Sequence, residues 1–514
     1  MQIGNYILDQ QQEKVILDES KYLLVTAGAG SGKTLTILGK IYDLINNKNY
    51  NPKDILCISF TNAAATNLKE KIKKELNLEV TVYTFHKLGL ELLKQSNYQY
   101  EIADANLLEM ITEQFFREEI EKSEFIKKRL CHYFYQSTRN YPKIKEEKKT
   151  ELKKLEKLII TLIKLIKCNN YQLSDFTMFL KRIKQTINFF TYQREKTILI
   201  ITINIYLKYE KYLKENQEID FDDMLLKATE IVRNNNLSLS WKYIIIDEYQ
   251  DTSYIRFLLI KEIINKVNSN LMVVGDDFQS IYKFTGCDLS LFTNFTNYFP
   301  NATILKLERT YRNSQELIKI AGTFVMKNKK QIKKDLYSEK HLKDPIRIVR
   351  YKNIKDKFLS LIKKIPPNKK ILVLGRNNRD SNLLLSNIVT QKENKIIIKD
   401  YENIDITYMT VHKSKGLESD IVIVINLTDQ QNGFPNQIKD ERITRIVVKN
   451  KEKYLYSEER RLFYVALTRT KNEVYLLVPQ KSPSIFIEEL EYIMNYLEKE
   501  NNFFRSSGVF NRKS

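Results

Sequence analysis

Short apolar, β-branched runs alternate with longer stretches of helical periodicity along most of the chain. Leu23–Thr26, Ile55–Phe60, Val80–Tyr83, Tyr243–Asp247 and Met272–Val274 form a first series of such runs. Thr303–Leu307, Ile346–Val349, Ile371–Leu374, Ile404–Thr410, Asp420–Ile425 and Val474–Val478 form a second. Runs that stay apolar on consecutive positions predict strands buried on both faces, and their alternation with helices predicts parallel sheets. Two series predict two α/β lobes. Between about Glu91 and Glu218 the texture changes, and charged residues interleave with Leu, Ile, Phe and Tyr at helical spacing, as in Lys148–Cys168. That stretch predicts an α-helical insertion in the first lobe. Its run Lys143–Lys157 mixes Lys with several Glu and reads as a solvated helix face. The polar, basic end Asn501–Ser514 is expected to fray.

One loop sits between a strand and a helix and carries chemistry. Ala27-Gly28-Ala29-Gly30-Ser31-Gly32-Lys33-Thr34 follows the apolar Tyr22–Val25 and precedes a helical pattern beginning at Leu35. Glycines let a backbone wrap a phosphate and aim its N–H groups inward, where the helix N-terminus adds partial positive charge. Lys33 would reach the β/γ-phosphates of a nucleoside triphosphate and Thr34 would coordinate Mg²⁺. A second segment, Ile244-Ile245-Ile246-Asp247-Glu248, ends an apolar strand in two carboxylates at the ligand-binding edge of an α/β sheet. Asp247 would hold Mg²⁺, and Glu248 would deprotonate the water attacking a γ-phosphate.

Composition narrows the class further. With 514 residues, 43% of them hydrophobic, the chain has room for a substantial core and roughly two to four domains. Its formal charge of +21 suits a polyanionic partner, although basicity of this size also follows from a Lys-rich composition alone. Cys57, Cys131, Cys168 and Cys287 are scattered without a C-x-x-C pair, which argues against a zinc site or a disulfide framework. An intracellular, cytoplasmic protein that avoids membranes is expected.

From Val274-Gly275-Asp276-Asp277-Phe278-Gln279-Ser280-Ile281-Tyr282-Lys283-Phe284 onward, the order of motifs resembles superfamily 1 helicases of the UvrD/Rep type. Leu8–Gln12 is similar to that family's adenine-reading motif, with Gln12 as the reader. Ser59–Ala64 and Tyr83–His86 resemble its DNA-contacting segments, and Asp220–Asp223 its short acidic motif. Leu307–Arg312, Leu374–Asn378, Thr410–Glu418 and Glu458–Arg469 complete the set. The family often has a basic residue where Ala63 stands, an Asn at Thr310 and an Arg at Thr285.

The resemblance implies two RecA-like P-loop lobes with parallel sheets. The first would span 1–90 and 219–300 around the insertion 91–218, the second 301–500, with a basic tail 501–514. It implies an ATP- and Mg²⁺-dependent motor on single-stranded and forked DNA, moving 3′-to-5′, with a nuclease or a repair or replication factor as a candidate protein partner. A nucleotide-sensing subunit and an RNA helicase are the competing readings. Lys33, Asp247, Glu248, Gln279 (as γ-phosphate sensor), Arg312 and Arg469 would be catalytic, the two arginines arriving from the second lobe. ATP would further meet Gln12, Ala27, Gly28, Ala29, Gly30, Ser31, Gly32, Thr34, the stacking Tyr311 and the ribose contact Glu418. DNA would meet Phe60, Asn62, Thr84, His86, Tyr282, Phe284, Arg376 and His412, with core packing the competing role for Phe60. Between Asn378 and Thr407 only about thirty residues stand where relatives carry a large second insertion, too few for a domain.

Overall fold

The computed structural model describes residues 2–4, 6–96, 98–134, 145–184, 188–234, 237–399, 401–438, 441–449, 452 and 454–506. Its first sheet holds six strands: β1 (Tyr22–Ala27), β2 (Ile55–Ser59), β3 (Thr81–Thr84), β4 (Tyr243–Ile246), β5 (Asn270–Gly275) and β6 (Thr303–Leu307). They lie in the order β6-β1-β5-β4-β2-β3, all parallel. Successive side chains point to opposite faces, and both faces are covered. Leu24, Leu56, Ile58, Ile244 and Val273 join one core. Leu23, Val25, Cys57, Ile245 and Met272 join another. That two-sided burial is the reason these strands read as unbroken apolar runs.

The second sheet has seven strands: β7 (Ile346–Tyr351), β8 (Ile371–Gly375), β9 (Val389–Lys392), β10 (Lys395–Ile398), β11 (Ile406–Thr410), β12 (Ser419–Val424) and β13 (Thr470–Pro479). Their order is β7-β13-β12-β8-β11-β10-β9. The pairs from β7 through β11 are parallel, and the hairpin β9–β10 adds antiparallel at the edge. Here too alternate residues separate, with Leu372, Leu374 and Val424 on one side and Ile371, Val373 and Ile423 on the other. The chain is thus α/β, with two parallel-sheet lobes of RecA-like form.

Helices clothe both sheets. On the first lobe, α1 (Gln10–Leu17), α2 (Lys33–Asn46) and α3 (Asn62–Leu76) cover one face, while α4 (Phe85–Gln95), α7 (Phe221–Asn234) and α8 (Tyr254–Val267) cover the other. Between α4 and α7 run the long helices α5 (Lys149–Cys168) and α6 (Phe189–Glu215). Their buried Ile159, Ile163, Ile198 and Ile205 belong to the same core as Leu24 and Ile244, so the insertion and the sheet share one apolar interior. Two-residue strands, Glu101–Ile102 and Glu218–Ile219, pair in parallel at the neck of the insertion. The second lobe carries α9 (Gln315–Val325), α10 (Ser457–Leu467) and α11 (Ile485–Ser506).

Three expectations need correction or delimiting. Thr303–Leu307, expected to open the second series, pairs with β1 and completes the first sheet. The second sheet therefore begins one strand later, because an apolar run specifies a strand but not its sheet. Asn501–Ser506, expected to be frayed, closes α11, and 507–514 lie outside the described residues. The start of Lys143–Lys157 lies outside them too. Between β8 and β11 the chain forms a short 3₁₀ turn, Asn378–Leu383, and the hairpin β9–β10.

Candidate nucleotide cleft and aromatic groove

The glycine loop leaves the carboxyl end of β1 and enters α2. Gly30 (φ +74°) and Gly32 (φ +78°) occupy the left-handed region, where a side chain is strained. A Cβ at Gly32 would lie 2.5 Å from Gln12 Nε2, and one at Gly30 would lie 2.6 Å from Arg312 Cβ. No side chain caps α2, so the N–H groups of its first turn stay available to a ligand. Gln12 closes a capping box with Asp9, its Oε1 accepting from Asp9 N (3.0 Å), while its buried Nε2 has no partner. Ser31 Oγ is likewise buried and unpartnered. Tyr311 N donates to Gly30 O (2.9 Å), its hydroxyl donates to Asp9 Oδ2 (2.7 Å), and its ring is half exposed. An orphan amide donor beside an exposed ring, at a loop with no room for Cβ atoms, fits a nucleotide base and its phosphates.

Asp247 and Glu248 follow β4. Asp247 N donates to Ile58 O (2.9 Å), tying the acidic pair to the neighbouring strand. Glu248 sits at φ +53°, a left-handed conformation that costs a glutamate about 1–2 kcal/mol and clusters at functional sites. Its Oε1 lies 3.0 Å from Lys33 Nζ, and its Oε2 accepts from Gln250 Nε2 (2.5 Å). Burial and the neighbouring Glu248 push the Asp247 carboxyl up to about 6. Burial would raise Glu248 as well, but Lys33 and Lys415 outweigh it and hold that carboxyl well below its ordinary range. Adjacent carboxylates with opposite shifts suit division of labour between a cation ligand and a base. Thr34 lies one residue beyond Lys33 in the first turn of α2, on the loop's side of the cleft.

From the far side come Arg469 and the loop between β11 and β12. Arg469, at the end of α10, is buried, and its Nη2 donates to Gln279 Oε1 (2.9 Å). Burial, with Arg312 beside it, depresses its pKa to about 9, which leaves it charged at neutral pH. Arg312 Nε donates to Glu418 Oε2 (2.8 Å), and Glu418 also pairs with Lys471 (3.0 Å). Arg312 was expected from the second lobe; it stands on the loop leaving β6, a strand of the first sheet, and only its partners Glu418 and Thr468 are second-lobe residues. Thr310 is buried and donates to Ala29 O (2.7 Å).

Lys415 is a residue that motif reading passed over. Its ammonium pairs with the buried Asp251, donates to Gln279 O (2.8 Å), and lies 3.7 Å from Glu248 Oε2. Arg461 was missed similarly: almost fully buried, it donates from Nε to Ser280 O (2.6 Å) and forks onto Glu452. Both lie inside matching motifs, so their presence was visible while their partners, over 130 residues away in the case of Lys415 and Gln279, were not.

Beside the cleft a row of rings crosses from one lobe to the other. Phe60 stacks on Tyr282 (centroids 5.8 Å apart, planes at 8°), and the Arg256 guanidinium lies 4.7 Å from the Phe60 ring. Tyr282 donates its hydroxyl to His412 O (3.1 Å), and Phe284, 60% exposed, meets the His412 ring edge-on at 5.7 Å. His86 packs on Phe221 (5.0 Å). Burial holds both His86 and His412 down at about 4, aided by Arg256 and Arg376 respectively. Asn62 is exposed at the start of α3, whereas Thr84 is buried and caps α4, accepting from Lys87 N (3.2 Å). Arg376 is committed elsewhere, its guanidinium forked onto Glu459 at 2.7–3.1 Å. Thr285 bonds back to Tyr282 O (2.8 Å).

The four cysteines are free and buried. Among the described residues no cluster of three or more His, Cys, Asp or Glu could hold a metal, and no helix is long and apolar enough to cross a membrane.

Comparison with known proteins bears on this architecture. Residues 8–300 match the family described as the UvrD/REP helicase N-terminal domain, and residues 384–481 match the UvrD-like helicase C-terminal domain. The chain is 28% identical to DNA helicase IV of Escherichia coli (strain K12), across 95% of this chain and 71% of that protein. It is 29% identical to the ATP-dependent DNA helicase Rep of Buchnera aphidicola subsp. Acyrthosiphon pisum, across 93% and 69%. Against the ATP-dependent DNA helicase PcrA of Leuconostoc citreum the identity is 26%, across 82% and 49%.

Proposed function

The chain belongs to the UvrD/REP helicase family, and from that premise we propose that it hydrolyses ATP to move 3′-to-5′ along single-stranded DNA. The observation that carries this reading is convergence. Lys33, Asp247, Glu248 and Gln279 on the first lobe meet Arg469 on the second, and the ring row beside them also spans both lobes. In this reading Thr34 and Asp247 hold Mg²⁺, which when bound neutralises phosphate charge. Glu248, ionised, accepts a proton from water. Arg312 and Arg469 stabilise charge on the γ-phosphate as guanidinium forks that are charged at neutral pH. Gln12 and Tyr311 seat the base, and Glu418 contacts the ribose. Strand binding falls to Phe60, Tyr282, Phe284 and His412, with Asn62 and His86 along the same edges, whereas Thr84 and Arg376 are taken up by the cap of α4 and by Glu459. Stacking plus backbone charge tolerates any sequence.

The test is steady-state ATPase with and without single-stranded DNA, beside Lys33→Ala. DNA should stimulate the wild type strongly, and Lys33→Ala should abolish turnover. Equal rates with and without DNA would defeat the motor reading in favour of a nucleotide-sensing subunit. Replacing DNA with RNA addresses the RNA reading, and duplexes with 3′ or 5′ tails read the polarity. The hairpin β9–β10 in place of a larger insertion favours a compact translocase whose strand separation depends on a protein partner. Unwinding of long duplexes by the isolated monomer would count against that refinement.

A further inference from the structure

After α9 the chain turns back to the first lobe and lies along the phosphate loop before entering β7. Leu336 packs on Gly28, where a Cβ would come within 2.5 Å of Leu336 Cδ2. Tyr337 exchanges backbone hydrogen bonds with the loop after β6, accepting from Thr310 N (2.8 Å) and donating to Glu308 O (3.0 Å). Within this strap the Lys334 side chain is completely buried, as are those of Asp276 and Asp277. An ammonium has three donors, and here each finds an acceptor: Asp276 Oδ1 (2.5 Å), Asp277 Oδ1 (2.7 Å) and Ala27 O (3.2 Å). The Phe278 ring lies 3.7 Å from the same nitrogen. Burial alone would lower the lysine's pKa; the two carboxylates outweigh it and the net shift is upward.

The other oxygen of Asp276 is what links this lysine to the cleft. Asp276 Oδ2 accepts from Gln279 Nε2 (2.6 Å), which leaves Gln279 Oε1 to accept from Arg469 Nη2 (2.9 Å). Without Lys334, Asp276 would be a buried carboxylate lacking its closest counter-charge, and it would protonate or turn. Either change releases the Gln279 amide to flip or drift. We propose that Lys334 is a positioning residue, holding Asp276 so that Gln279 presents its carbonyl oxygen to Arg469 across the cleft. A purely structural buried ion pair would instead support the fold with no specific link to Gln279.

The inference rests on the ATPase reading above, and epistasis separates the two. DNA-stimulated ATPase and binding of a fluorescent ATP analogue are measured for wild type, Lys334→Met, Gln279→Ala and the double variant, with a thermal midpoint for each. Lys334→Met should lower kcat at least about tenfold, with KM and analogue affinity within about threefold of wild type. In the Gln279→Ala background the same substitution should change kcat less than about twofold, since the group it positions is gone. Multiplicative losses, or a loss shared equally by kcat and analogue binding, would overturn the proposal. If Lys334→Met does not fold, Lys334→Arg replaces it: the charge stays, the larger fork displaces Asp276, and kcat should fall only where Gln279 is present. Additivity in that pair overturns the proposal equally. A wild type without ATPase activity overturns both readings, and additivity overturns this one alone.

Discussion

The nucleotide cleft and the aromatic groove lie side by side across the same two lobes, yet they are built by opposite means. In the cleft the charged groups are already paired: Lys415 with Asp251 and Arg469 with Gln279 in the interior, and Lys33 with Glu248 partly exposed. Such groups are held at fixed places because an unpaired buried charge is too costly. In the groove the contacts are ring on ring, and Phe284 is largely exposed. A ring face can exchange a protein neighbour for a base with little desolvation cost. The difference teaches that rigid charge suits one chemistry on one ligand, while loosely packed rings suit a strand that must slide.

That contrast can be broken by mutation, beginning with the largest effect. Arg469→Ala should lower DNA-stimulated kcat about 10³-fold or more while leaving strand affinity in fluorescence anisotropy near wild type. Glu248→Gln should lower turnover by roughly 10²–10⁴-fold and still bind nucleotide, which equilibrium binding of an ATP analogue would register. Phe284→Ala should weaken single-strand binding by about 1–3 kcal/mol, with ATPase in the absence of DNA unchanged. If Phe284→Ala depressed basal turnover as deeply as Arg469→Ala, the cleft and the groove would not be separable sites.

The smallest effect is a pH dependence. Burial holds His86 and His412 at about 4, below the ordinary histidine value near 6.5. Between those values the unfolded chain binds more protons than the folded one, so these residues withdraw stability as pH falls from about 6.5 toward 4. Asp247 and Asp251, raised to about 6 mainly by burial, act with the opposite sign in the same range. The histidine share is therefore read as a difference: the thermal midpoint of wild type relative to His412→Gln should decline between pH 7 and pH 5. A pH-independent difference would mean that His412 takes up its proton in the folded protein at the same pH as in the unfolded chain.

Much of this was legible in the chain alone, for identifiable reasons. The strands of both sheets were visible because burial on both faces leaves no polar alternation. Lys33, Asp247 and Glu248 stood out as candidates because phosphate chemistry calls for such groups beside strand ends and glycine turns, whereas Gln279 and Arg469 stood out only through the resemblance of their motifs to the family. Thr303–Leu307 was legible as a strand but not as a member of the first sheet, since its own residues are indifferent to which strand they pair with. Arg376 carried a motif position, yet its fork onto Glu459 depends on a helix 83 residues later. Ile443, Ile446 and Val447 look like an ordinary apolar turn; in the fold they leave the second lobe and enter the insertion's core, where Arg182 Nη1 donates to Ile446 O (3.0 Å).

The chain by itself determined which chemical groups exist, the local elements that carry them, and the order in which they arrive: these follow from side-chain type and periodicity over a few residues. Only the tertiary structure decided partnership. It alone put Lys334 beneath Asp276 and Lys415 against Asp251, and turned Gln279 toward Arg469. The reason is that a buried charge is settled by whichever opposite charge the packing brings within about 3 Å, and packing joins residues that no local pattern connects.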